Sequence, residues 1–198
     1  VAGFLSRFAA TAPMNPEAVS MSTEDVEFFQ TLVRKKPDPY IRALALGPLQ
    51  FGPRDQAVEM FVEMLRSDQS PLVRLSAAEA LSRFADDREV RSRMIAVCRM
   101  EEDARVRKHI LHSLVQAEPT NLDPDVQAFL FSRLREEDNA DVLAYAVHTL
   151  GTARLRSAAG LFSRMLNTSR DPILRARIAE ALAHLGQGTR RRNMDNPR

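Results

Sequence analysis

Ser70-Pro71-Leu72-Val73-Arg74-Leu75-Ser76-Ala77-Ala78-Glu79-Ala80-Leu81 reads as the opening of a helix. Ser70 is placed to cap free backbone N–H groups, and Pro71 takes the first helical position, where its missing donor costs nothing. Val73, Ala77, Ala80 and Leu81 then fall at i, i+4, i+7 and i+8, one apolar stripe at helical period. The stretch recurs. Asp38-Pro39-Tyr40-Ile41-Arg42 precedes it, and Asp103-Ala104-Arg105-Val106-Arg107 and Asp171-Pro172-Ile173-Leu174-Arg175 follow it, with a weaker copy at Asn139-Ala140-Asp141-Val142-Leu143. The Pro/Ala column stands at 39, 71, 104, 140 and 172, in steps of 32, 33, 36 and 32 residues. That spacing predicts an array of helical repeats.

Working outward, five first helices are expected at 39–50, 70–84, 103–117, 139–152 and 171–185, and four second helices at 54–66, 88–100, 124–135 and 156–167. Gly52-Pro53, Asp86-Asp87, Gly151 and Ser169-Arg170-Asp171 mark the breaks, and Pro48 should distort the last turn of its helix. Glu118–Pro124 supplies the extra residues of the 36-residue step and reads as a neutral insertion. Thr23-Glu24-Asp25 opens a further helix with acids in its first turn; it resembles the second helix of a terminal repeat. Three columns of the first helices are read as buried: Ile41, Val73, Val106, Val142, Leu174; then Ala45, Ala77, Ile110, Ala146, Ile178; then Leu49, Leu81, Leu114, Leu150, Leu182. The second helices are expected to bury Val58, Phe61, Val62, Leu65; Val90, Met94, Val97, Cys98; Val126, Phe129, Leu130, Leu134; and Ala159, Phe162, Leu166. No helix pair buries its stripe alone, so stability must come from stacking.

The unit Asp-Pro-x-(Val/Ile/Leu)-Arg-x-x-Ala-x-x-Ala-Leu, best seen at Asp171–Leu182 and Ser70–Leu81, resembles the HEAT repeat, particularly the short bacterial form also seen in phycobilin lyases. The resemblance covers about residues 24–185. It implies an all-α, right-handed solenoid of about five helical hairpins, with second helices lining the concave side, and a family whose members mostly bind other proteins. The chain thus divides into a leader over 1–22, the array over 23–185, and a basic tail over 186–198. Pro13 and Pro16 interrupt the leader, whose Phe4, Leu5 and Phe8 give it a small apolar face. It begins with Val rather than Met, as a fragment, a processed product or a non-standard start would.

Composition narrows the function. The net charge of +2 belongs to the tail: residues 186–198 carry +3, residues 1–23 carry 0, and the array −1. A nucleic-acid reader normally carries a basic face on its folded domain, so no nucleic-acid partner is expected. HEAT-like DNA glycosylases use aromatic residues and an acid in a basic groove; this chain has no Trp and only Tyr40 and Tyr145. No run approaches the roughly 18 apolar residues of a membrane helix. One cysteine, Cys98, among apolar neighbours, permits no internal disulfide and suggests a buried thiol in a reducing, cytoplasmic setting. Nucleophile elbows, P-loops and dinucleotide fingerprints are missing from the sequence.

Two polar patterns remain. Arg42, Arg74, Arg107 and Arg175 form a ladder, broken at Leu143, at the border of the buried stripe. Each guanidinium is in reach of an acid or carbonyl of an adjacent repeat, and the ladder is read as structural. His112 and His148 share a column with Glu79 and Glu180 that points to solvent. Adjacent helices lie about 10 Å apart, too far to share one zinc without strain. No metal, cofactor or catalytic residue is expected.

A binding surface is sought on the second helices, where Met60, Glu63, Met64, Arg99, Phe131, Arg135 and Arg164 project outward with Glu59. That mixture of acids, adaptable methionines, arginines and an aromatic ring suits a partner peptide or helix of complementary charge. The expectation is a non-catalytic scaffold for another protein. The alternative is a lyase-like or carrier subunit that holds a tetrapyrrole or similar ligand in the concave groove.

Overall fold

The computed structural model describes residues 21–116 and 121–194, with side chains through Gly186. The leader up to residue 20, residues 117–120 at the start of the 118–124 insertion, residues 195–198 and the side chains from 187 onward lie outside the described residues. Ten α-helices occur among those described, and no strand. They are α1 (Thr23–Lys35), α2 (Pro39–Leu49), α3 (Arg54–Ser67), α4 (Pro71–Ser82), α5 (Arg88–Met100), α6 (Ala104–Val115), α7 (Pro124–Glu136), α8 (Ala140–Thr152), α9 (Ala159–Thr168) and α10 (Pro172–Met194). A short 3₁₀ turn over Arg156–Ala158 leads into α9. The described residues are all-α, in alternating first and second helices, and α10 continues past residue 185 to Met194.

The repeat signature acts first at the helix starts. Asp38, Asp103 and Asn139 each turn a side-chain oxygen onto the backbone N–H two residues ahead, at 2.9, 2.8 and 3.0 Å. Asp171 does the same for Ile173 and Leu174, at 2.8 and 2.9 Å. These bonds satisfy donors that the first turn leaves free. Ser70 differs. It occupies the cap position of α4 but makes no side-chain cap bond; its own N–H donates to Asp68 Oδ1 at 2.8 Å. At α1 the cap is Ser22, one residue before the expected start, in a reciprocal box with Asp25.

The chain forms two compact units, up to Met100 and from Glu101. In the first, α1 packs on α2, α2 on α4, and α3 on both α4 and α5. First helices therefore stack on first helices, and second on second. Ala45, Leu49, Val73, Ala77 and Leu81 are buried, as are Phe61, Leu65, Met94 and Cys98. Each large side chain so buried contributes roughly 1.5–3 kcal/mol. In the second unit α6 packs on α8 and α8 on α10, with α7 against α6 and α8, and α9 against α10. Val106, Ile110, Val142, Ala146, Leu150, Leu174 and Ile178 fill its first-helix seam, and Phe129 and Phe162 its second-helix layer.

Several expectations need correction. Ile41 heads a column whose other four members are buried, yet it is 38% exposed. Among the described residues no first helix precedes α2 to cover it. On α5 the buried set is Val90, Met94, Ile95 and Cys98, with Val97 half-exposed. Leu166 and Leu182 are half-exposed, and Ala158 is buried where Ala159 was expected. The last turn of α2 is distorted, as expected at Pro48: Gln50 and Phe51 bond back to the carbonyls of Gly47 and Pro48 at 3.3 and 3.0 Å, so the turn tightens to i→i−3 spacing.

Gly151 is not a break. It lies inside α8, and a Cβ placed there would stand 2.7 Å from the Cβ of Ala181 and 2.9 Å from its Cα. The missing side chain lets α8 and α10 approach this closely.

Candidate functional site

The arginine ladder uses its hydrogen-bonding capacity inside the fold. Nη1 of Arg42 donates to the carbonyls of Lys36 and Pro37 at 3.0 and 2.8 Å. Nη1 of Arg74 reaches Asp68 and Gln69 carbonyls at 2.9 and 3.2 Å, and that of Arg107 reaches Glu101 and Glu102 at 3.1 and 2.8 Å. In each case the acceptors lie six and five residues earlier, in the turn that enters the arginine's own helix. Arg175 reaches the carbonyls of Leu166 and Ser169. Two rungs also span to the next repeat. Arg42 makes a bidentate pair with Asp68, at 2.8 Å on both arms, and Arg107 one with Glu137, at 2.9 and 2.5 Å. Burial pushes the Asp68 and Glu137 carboxyls up, but the arginine bonds and the N–H groups of Ser70 and Asn139 outweigh it and hold both below the usual carboxylate range.

A fifth arginine does the same work unpredicted. Nη1 of Arg91, on second helix α5, donates to Ala85 and Asp86 at 2.8 and 2.6 Å. Its signal was present: Asp87-Arg88-Glu89-Val90-Arg91 repeats the Asp-x-x-Val-Arg spacing of the first helices.

The second-helix face differs from the expected one. Met60 and Met64 are not outward; they are buried, because α3 lies against both α4 and α5 and needs a wider apolar arc than one stripe. Glu63 is outward but paired with Arg34 at 3.0 Å, and Glu59 takes both arms of Arg93 at 2.6 and 2.8 Å. The expected acidic patch is thus cross-linked helix to helix by arginines. In the second unit Phe131 is half-buried rather than outward, while Arg135 and Arg164 are exposed, as is Arg99 in the first unit. A buried Arg133, missed in the sequence, lies over the Phe129 ring at 5.6 Å and pairs with Glu136 at 2.5 Å.

The outward faces of the first helices carry the more distinctive chemistry. On α2, Tyr40 and Leu44 are 69% and 76% exposed, with Ile41 beside them. At i and i+4 they are neighbours on one face. In the second unit a depression of about 200 Å³ lies over α6, α8 and α10, lined by Lys108, Asp141, Ala144, Tyr145, His148, Ile173 and Arg177. His112 Nδ1 lies 3.1 Å from the Tyr145 hydroxyl, and its Nε2 lies 2.8 Å from the Gln116 amide. Burial raises the Tyr145 hydroxyl above its usual range, against a bond to Thr149 that lowers it. His112 and His148 are both exposed, and among the described residues no three His, Cys, Asp or Glu side chains gather as a metal set would. Nor is any described helix long and apolar enough to cross a membrane.

Comparison with curated proteins finds no match. The family described as HEAT repeats matches residues 26–115, which span α1 through α6. The capped, stacked pairs of those helices agree with that match, and the stretch from α1 through α6 carries HEAT repeats.

Proposed function

We propose that this chain is a non-catalytic module that binds another protein through the outward face of its first helices. HEAT repeats commonly mediate protein–protein interaction. The observation that carries the reading here is the Tyr40–Ile41–Leu44 face of α2, where two large apolar side chains are each more than two-thirds exposed. Single exposed apolar residues are ordinary, but a contiguous set on one helix face is what a partner covers. Tyrosine adds an amphipathic anchor of the type enriched at binding hot spots. In the same reading Arg42, Arg74, Arg107 and Arg175 serve the fold, since their donors are engaged by turn carbonyls. The outward second-helix residues that remain, Glu63, Arg99, Arg135 and Arg164, are secondary candidates, and Met60, Met64 and Phe131 leave the set.

The test compares proteins captured from the native cell by wild type, by Tyr40→Ser/Leu44→Ser and by Arg135→Ser/Arg164→Ser, each checked for helicity. A stoichiometric partner lost only from the α2 variant supports the proposal. Loss only from the arginine variant returns the site to the second helices. A partner retained by both variants removes both surfaces.

A further inference from the structure

The depression on the second unit has a chemical polarity of its own. Its floor is α8, with Ala144 and the Tyr145 ring at mid-height, Asp141 one turn nearer the helix start and His148 one turn beyond. Lys108 of α6 forms one wall; Ile173 and Arg177 of α10 form the other. Within the repeat register Lys108, Ala144, Tyr145 and Arg177 lie at one level, four or five residues after the Pro/Ala position of their helices. Asp141 and Ile173 share the level one residue after it. Two long cations therefore face each other across a small residue and a fixed ring, and an apolar side chain, 66% exposed, stands beside them.

We infer that this depression seats an acidic segment of a partner protein, with a carboxylate between Lys108 and Arg177 and a neighbouring apolar side chain over Ile173. Lys108 has no hydrogen-bond or ion-pair partner among the described residues, so an incoming carboxylate displaces nothing there. Arg177 is bonded to Glu180 at 3.0 Å, but both side chains are about half exposed. Pairs of that kind are weak and exchange readily. Burial between the two walls strengthens the new pair relative to the old one. The Tyr145 ring meets the His112 ring edge-on at 6.0 Å and its hydroxyl is held, so the floor needs little ordering on binding. Asp141 repels acid at the Ile173 level and so fixes the ligand's direction: carboxylate toward His148, apolar side chain toward the start of α8. A ligand acidic throughout fits less well than one with acid on one side of its apolar residue.

This inference rests on the partner-binding reading but on a different surface. Its test is titration of the isotope-labelled full chain, followed by amide NMR, with three capped five-residue peptides. One has glutamates on one side only of a leucine, one has glutamines in place of those glutamates, and one has serine in place of the leucine. Saturable shifts centred on Ala144 and Tyr145 are expected with the first peptide. Affinity should fall at least fivefold with either of the others. Lys108→Glu/Arg177→Glu should weaken the first peptide at least tenfold, and Ile173→Lys at least threefold, while Tyr40→Ser/Leu44→Ser leaves it unchanged. Absence of saturable shifts, shifts elsewhere, or undiminished binding to the charge-reversed chain overturns the inference. A peptide that binds as expected while no partner depends on α2 separates this site from the α2 proposal.

Discussion

Arg154 is the one described non-glycine residue with positive φ, at 54°. It follows the C-cap of α8, where the N–H of Leu155 bonds to the Leu150 carbonyl at 3.1 Å and that of Arg154 to Gly151 at 3.0 Å. These are the paired bonds of a Schellman ending, whose left-handed position favours glycine. An L-residue there costs roughly 1–2 kcal/mol. Arg154→Gly should therefore stabilise the chain by about 1 kcal/mol, less what glycine adds to the freedom of the unfolded chain, as read from denaturant midpoints. Gly151, three residues earlier, behaves oppositely. Alanine would improve helix propensity by about 1 kcal/mol, but its methyl would meet Ala181 backbone and side chain at under 3 Å. Neither is a flexible end that can swing away, so overpacking of about 1–3 kcal/mol decides the sign. Gly151→Ala should lower the midpoint. Gly160→Ala, whose nearest neighbour is the far end of Arg164 at 3.9 Å, should raise it.

At the scale of the element, the deciding contacts are between helices. Arg107 and Glu137 have side chains 11% and 1% exposed, and removing one leaves a buried charge without its partner. Glu137→Ala should cost about 3 kcal/mol or more. Glu63→Ala removes a half-exposed pair with Arg34 and should cost under about 1 kcal/mol. Equal losses in the two variants would show that burial does not set the difference. The sequence announced Arg107 through its repeat spacing and the helix starts through Asp38, Asp103, Asn139 and Asp171. Glu137 stands in a column with Asp68 and Glu101, two residues before the cap, but that spacing does not say that it pairs with an arginine 30 residues away. Met60 and Met64 were misplaced for a related reason. A single helical stripe predicts one buried face, whereas α3 is flanked on more than one side, and only the packing of its neighbours shows how wide the buried arc is. The Tyr40–Leu44 face was hidden by the opposite error: Ile41 has the residue type of its buried column, and nothing in its own sequence says that, among the described residues, no first helix precedes α2 to cover it. The depression over α8 needed three helices from separate repeats in register, a relation that the column spacing permits but does not shape.

Across the whole molecule, both units rely on carboxylates held in the charged form. In the first, Arg42 holds Asp68 low against the effect of burial, and Arg54 and Arg93 lower Asp87 and Glu59. In the second, the side-chain bond from Arg105, against a smaller effect of burial and aided by the N–H groups of Arg105 and Val106, brings Asp103 from 3.8 to about 2; Glu137 is also low. A carboxyl whose folded value lies below its unfolded value stabilises the fold fully above the unfolded value. That contribution disappears as pH falls through the folded one. The window therefore opens near pH 4.5 for the glutamates and near pH 3.8 for the aspartates, closes near pH 2 for Asp103, and through it the melting temperature should fall steeply. Above pH 5 these groups should leave it flat. Asp103→Asn keeps a good cap at α6 but removes the titration, so its melting temperature should be lower than wild type at neutral pH and converge with it near pH 2. Moderate salt should change the slope little for the buried pairs, since they are screened less than surface charges. Thermal melts at half-unit steps from pH 5 to pH 2 decide the matter. A wild-type curve without slope below pH 4, or an Asp103→Asn curve parallel to wild type, would place the origin of acid sensitivity outside these arginine-bound carboxylates.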